Sequence, residues 1–134
     1  MSDVCEDLRD SLLIDLTVAR LVEDRMYVNV VPAGTDVPFV WIQRRGVEYL
    51  DALGEVEATP YRELVDIECV SDGAIEMMEL TDAVRVALNG ARGTVGQGVY
   101  SWVTVRDQAE DYVVRNMADQ HLFIGSLDVE AIRP

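Results

Sequence analysis

The chain has 134 residues, with 25 Asp and Glu against 11 basic residues and a net charge of −14. That length fits one domain able to bury a real core, and 49% hydrophobic content is too high for a disordered chain. All the basic residues are Arg, and the acidic balance disfavours nucleic-acid recognition, in which cations must meet phosphates.

In chain order, residues 3–22 predict one amphipathic helix. Val4, Leu8, Leu12 and Leu16 recur every fourth position, Leu13 and Ala19 widen the stripe, and Asp3 stands where an N-cap belongs. Residues 26–31 are β-branched and aromatic, and fit a short edge strand or an extended connector ending at Pro32-Ala33-Gly34. Residues 38–44 predict a strand with Pro38 at its start and apolar side chains on both faces at 39–42. Residues 45–60, acidic and punctuated by Gly46, Gly54 and Pro60, predict a long loop. From 62 to 70 the chain alternates, with Val65, Ile67 and Cys69 on one side and Asp66 and Glu68 on the other: a half-buried strand.

A second helix follows at roughly 73–89, with Met77, Leu80, Val84, Ala87 and Leu88 as its stripe and Asn89-Gly90 as its end. Gly93, Gly96 and Gly98 predict a flexible connection, since a phosphate loop needs a following lysine and helix. Residues 99–105 predict a strand with Val99, Val103 and Val105 on one face; 107–119 predict a second acidic connection; and 122–132 a last strand, bent at Gly125. The expected fold is therefore α+β, a single domain over 1–134. Two helices pack on a four-stranded sheet in the order α-β-β-α-β-β, with Leu12, Leu16, Ile67, Val84, Leu88 and Val103 in the core.

The chemistry of a catalytic site is not visible. His121 is the single histidine, there is no lysine, and no nucleophile elbow or metal-ligand spacing occurs. Cys5 and Cys69 are 64 positions apart and read as reduced, buried thiols. Acid pairs such as Asp66 and Glu68 read as a solvated sheet face. No cofactor, metal or enzyme activity is expected. No apolar run reaches the roughly 20 residues of a membrane span. The acidic N-terminus lacks the order of a secretory signal, so a soluble protein made in the cytoplasm is expected, with no membrane partner.

Several local patterns together resemble the tail-completion (tail terminator) proteins of long-tailed phages, prophages and gene transfer agents, which have the lambda tail terminator-like fold. They are Leu21-Val22-Glu23-Asp24-Arg25-Met26-Tyr27; Pro32 followed by Val37-Pro38-Phe39-Val40; Val65-Asp66-Ile67-Glu68-Cys69; and Asp82-Ala83-Val84-Arg85-Val86-Ala87-Leu88-Asn89-Gly90. The likeness runs from about residue 8 to 132. It departs at 107–119, where only Arg115 stands for an Arg-rich approach to the last strand.

The resemblance implies a structural virion subunit with no chemistry. Its copies form a ring, usually of six, at the end of the tail tube, halting tube polymerisation and meeting the head-tail connector protein, while dsDNA passes through without specific binding. It implies assembly in the host cytoplasm and residence in the virion tail. The runner-up is a head-closure or neck protein of the same particle; an acidic cytoplasmic binding module is the reading from another class. Arg44, Arg45, Arg62, Tyr49, Asp111 and Tyr112 are candidate subunit-interface residues, because the segments they flank are too long for mere connectors. Asp66, Glu68, Asp128 and Glu130 are candidate lumen-facing acids, on the polar sides of strands.

Overall fold

The computed structural model describes residues 2–49, 61–115 and 120–134. Its elements in chain order are α1 (Val4–Leu13), α2 (Leu16–Val22), β1 (Met26–Val28), β2 (Phe39–Tyr49), β3 (Tyr61–Ser71), α3 (Ala74–Leu88), β4 (Gly93–Val95), β5 (Gly98–Tyr100), β6 (Trp102–Arg115) and β7 (Gln120–Ile132). The fold is mixed α+β, as expected. Among the described residues it has three helices rather than two, a five-stranded sheet rather than a four-stranded one, and a second, two-stranded sheet of β4 and β5.

The opening helix splits because two aspartates cap it. Asp3 starts α1, its carboxylate accepting from the Cys5 and Glu6 amides at 2.8 and 3.2 Å. Asp15 takes extended backbone and does the same for α2, accepting from the Val18 amide at 3.0 Å. The helix restarts on a new axis, so the fourfold spacing ends at Leu12. Val4, Leu8 and Leu12 are buried, but Leu16, expected in the core, is exposed, and Val18 and Val22 face inward instead.

The large sheet runs β1-β2-β3-β7-β6. β1 is the short edge strand, parallel to β2. β2 with β3, and β6 with β7, are antiparallel pairs, each of strands consecutive among the described elements, and α3 lies in the crossover between the two pairs. Both acidic segments are partly strand. β2 continues through 45–49, and β6 runs through 107–115 paired residue for residue with β7. Residues 50–60 and 116–119 of the expected loops lie outside the described residues.

One face of the sheet carries the core. Val40, Ile42, Val65, Ile67, Cys69, Val103, Leu127, Val129 and Ala131 are buried there, beneath Leu8, Leu12, Leu80, Val84 and Leu88. Gly125 lies opposite Cys69 within an unbroken ladder. A Cβ there would collide with the Thr81 hydroxyl and approach the Met77 sulfur at 3.0 Å, so the glycine lets α3 lie close on β7. Leu88 is fully buried, and Leu88→Ala is expected to cost about 3 kcal/mol of unfolding free energy. Urea denaturation measures this, and a loss below about half a kcal/mol would mean that α3 does not cover the sheet.

The glycine-rich segment is an ordered hairpin, not a slack connection. Val99 belongs to it and is exposed, while Tyr100 is buried. The hairpin is fastened to α1 through Asp7. The Gln97 amide donates to Asp7 Oδ1 at 3.0 Å, and the Tyr100 hydroxyl to Oδ2 at 2.6 Å. Gly96, at φ +59°, passes so near that a Cβ would sit 2.6 Å from the Asp7 Cα. Arg133 completes this buried cluster, with Nη2 2.6 Å from the Ser2 carbonyl oxygen, Nε 3.4 Å from Glu63 Oε2, and its guanidinium 4.6 Å above the Tyr100 ring.

Candidate interaction surface

The other face of the sheet has no helix over it among the described residues, and it brings together most of the residues singled out from the sequence. Directly opposed residues on neighbouring strands share a face. Asp66, Asp128 and Asp107 are opposed across β3, β7 and β6, with Gln43 of β2 completing the row. Three like charges in a row oppose each other. Two β-bulges answer them. The register of β2 slips between Arg44 and Gly46, and that of β6 between Val105 and Asp107, so the extra residue in each is an arginine. Arg45 reaches Asp128 at 2.8 Å and Asp66 at 3.4 Å; Arg106 reaches Glu130 at 2.7 Å. Arg62 adds contacts to Glu130 at 3.1 Å and Glu48 at 3.6 Å. Such exposed pairs contribute little singly, about 0–1 kcal/mol each, but as a network they fix the charge pattern of the face.

This changes what the arginines can do. Arg45 and Arg62, expected to meet a neighbour's carboxylates, already pair within the subunit. Arg44 lies on the opposite side of the bulge, 3.8 Å from Glu63, and stays half exposed. Asp111 is exposed on β6, opposite Ile124. Tyr49 and Tyr112 are strand positions of β2 and β6 whose side chains fall outside the described residues.

Further along the same face the character changes from ionic to apolar. Phe39, Val70 and Leu122 are buried there, with Tyr27, Val31, Val37, Trp41 and Ile124 packed around them. The 29–38 segment folds against this end; the Trp41 indole N–H donates to the Asn29 carbonyl at 2.8 Å, and Arg25 Nε to the Pro38 carbonyl at 2.9 Å. Between this segment and the strands lies a groove of about 400 Å³ lined by Val31, Trp41, Val70, Leu122 and Ile124, with Glu68 at its border. Burial first, and then the Asp66 and Asp111 carboxylates, push the Glu68 carboxyl above its ordinary range. The apolar doublets on both sides of 39–42 signalled that the strand is covered twice; the groove itself needs the 29–38 segment and β7, which only the fold brings there.

Among the described residues no group of three or more His, Cys, Asp or Glu is arranged to hold a metal ion, and no helix is long and apolar enough to cross a membrane. The sequence model of a family described as "Tail completion protein gp17" matches residues 6–133. Among solved structures, a chain of the "Virion of native gene transfer agent (GTA) particle" superposes with a TM-score of 0.68 at 19% identity, covering 93% of this chain and 90% of that one. At that identity the likeness concerns the fold alone. No curated protein matches significantly.

Proposed function

This chain belongs to the tail completion protein gp17 family and is a structural component of a phage-type tail; from that premise we propose that its copies close the end of the tail tube as a ring of about six. The ring stops addition of tube protein, presents a surface to the head-tail connector, and lets dsDNA pass without binding it specifically. It performs no catalysis and needs no cofactor. Each subunit is one domain, made in the host cytoplasm and carried into the virion tail.

The family match over nearly the whole chain carries this reading. The sheet supports it. The paired strand ends Tyr49 and Tyr61 stand beside Ile132, where β7 ends, and the paired strand ends Arg115 and Gln120 stand beyond Ser71, where β3 ends, so the two pairs are at opposite ends of the strands. A subunit that must meet a tube on one side and a connector on the other has use for two such ends. Arg44, Asp111 and the positions Tyr49 and Tyr112 lie on the strands leading to these ends and are the proposed contacts. The ionic half of the open face, with Asp66, Asp128 and Glu130, and Glu68 at its margin, is proposed to border the lumen, where net negative charge keeps phosphates from adhering. Because Asp128 and Glu130 are paired with Arg45, Arg62 and Arg106, arginine there would strand cation against cation. Asp128→Asn with Glu130→Gln is the milder probe, expected to slow DNA exit while rings persist.

Assembly without this chain tests the central claim. Tails made in its absence are expected to be over-long and to fail to join heads, and adding the purified protein back is expected to restore both. Normal tail lengths without it would overturn the reading. Charge gives a second test. Six copies at −14 each carry 6 × (−14) = −84 formal charges, so ring formation is expected to strengthen as added salt shortens the Debye length from about 30 to about 8 Å. Sedimentation across that range measures it, and rings that dissociate on adding salt would contradict it.

A further inference from the structure

We infer that the apolar corner between α1 and α2 of one copy seats in the groove on the open sheet face of a second copy, with Arg20 of the first meeting Glu68 of the second. The inference rests on the ring reading and says which surfaces make the seam.

The corner is an anomaly for a surface. Leu13, Ile14 and Leu16 crowd four positions around Asp15, and Ile14 and Leu16 are 82% and 73% exposed. Contiguous apolar exposure of this kind marks an interaction site. Its cause is the second cap. By restarting the helix at Asp15, the chain turns Leu16 out of the stripe its spacing would have kept it in. The groove is the complementary anomaly, an apolar recess among the carboxylates of the open face.

Charge identifies the occupant. Glu68 makes no hydrogen bond or ion pair with another described residue, and Asp66 stands beside it on the same strand face. Arg20 is exposed and likewise makes no ion pair among the described residues. The spacings agree. Arg20 stands one helical turn beyond Leu16, about 6 Å along α2. Glu68 stands two strand residues from Val70 of the groove, roughly 6–7 Å along β3. With α2 laid along β3, a neighbour seating Leu16 against the partly buried Ile124, which pairs with Val70 in the same row, brings Arg20 to Glu68. Seating the neighbour this way draws Glu68 into the seam and leaves Asp66, Asp128 and Glu130 for the lumen.

The topology of the contact suits a ring. The corner belongs to the helix layer and the groove to the opposite face of the sheet, so the pairing is head-to-tail. A head-to-tail contact builds a ring when its rotation closes, whereas a two-fold dimer needs one patch to meet itself.

The test uses the full chain added to tails assembled without it. Arg20→Glu and Glu68→Arg alone are each expected to raise the protein concentration needed for half-maximal ring formation at least about tenfold, and the double variant to restore it. Leu16→Cys together with Val30→Cys, at the groove rim, is expected to give an intersubunit disulfide ladder that neither single variant gives. Rings that form normally with Arg20→Glu and yield no ladder overturn the pairing alone. Crosslinking of the Val30→Cys variant to tube or connector protein instead of a second copy also overturns it, by assigning the groove to another partner. Absence of rings from the unaltered protein on tails it terminates overturns the ring reading and this seam with it.

Discussion

Replacing Arg133 by methionine is expected to cost about 3–5 kcal/mol of stability, more than any surface charge in the molecule. Arg133 is buried among two buried carboxylates, Asp7 and Glu63, and the Tyr100 ring. Methionine keeps much of the stem but leaves both buried carboxylates without their shared cation, Asp7 keeping only the neutral donors of Ser2, Gln97 and Tyr100. Glu63 retains Arg44 at 3.8 Å, so Asp7 bears most of the loss. Asp7 in turn holds the β4–β5 hairpin through Gln97 and Tyr100, so the hairpin should loosen together with the N-terminus of α1. Urea denaturation gives the magnitude and hydrogen exchange at 95–100 the location. Neutralising the carboxylates as well, with Asp7→Asn and Glu63→Gln, is expected to recover part of the loss, because the penalty comes from unpaired charge. A loss below about 1 kcal/mol for Arg133→Met would show that the cluster is not held by its cation.

Stability is also expected to fall steeply above pH 9. Burial pushes the Cys69 thiol up to about 12 from its ordinary 9.0, outweighing the Thr81 hydroxyl, which favours the thiolate. A raised folded-state pKa means that stability is fully present below pH 9, where both states hold the proton. As pH rises the unfolded chain releases it and the folded one does not. The loss is about 1.4 kcal/mol per pH unit for this one group, or about 4 kcal/mol by pH 12. Cys5 is pushed to about 12 as well, by burial first and then by Asp3 and Glu63. The Tyr100 phenol is raised by burial first, and then by its hydrogen bond to Asp7, so it adds to the loss above pH 10. Denaturation midpoints between pH 8 and 11 measure the slope, and Cys69→Ala should make it shallower. A flat profile over that range would refute the buried-thiol account.

The sequence showed its core strands and central helix through periodicity. Val65-Asp66-Ile67-Glu68-Cys69 alternates because one face meets α3 and the other does not, and Met77, Leu80, Val84 and Leu88 recur because α3 crosses that face. What periodicity could not show were strands held by pairing rather than burial. Asp107 to Asp111 carry charge and no apolar rhythm, and they are strand because β7 lies alongside. Leu16 misled for the opposite reason: its spacing continued the stripe, while Asp15 offered a cap that ended the helix. The candidate surface was legible only in parts. Asp128 and Glu130 could be assigned to one side of a strand, but their contacts to Arg45 and Arg62, 83 and 68 residues away, depend on register and on two bulges.

The outer border of β6 has a meaning for a protein of this kind. At 103–105 its hydrogen-bonding groups are already occupied: the Gly90 amide donates to the Val103 carbonyl at 2.8 Å, the Val103 amide to the Ala91 carbonyl at 2.8 Å, and the Val105 amide to the Asn89 side chain at 3.0 Å. Beyond them Asp107, Glu110 and Asp111 arm the rest of the border with negative charge. Strands of another molecule cannot add there without evicting the segment after α3 and crossing those carboxylates. This border thus resists open-ended growth by β-sheet extension, the commonest way for sheet proteins to form fibres, and the ring proposed above would close through side-chain contacts rather than through strand addition here.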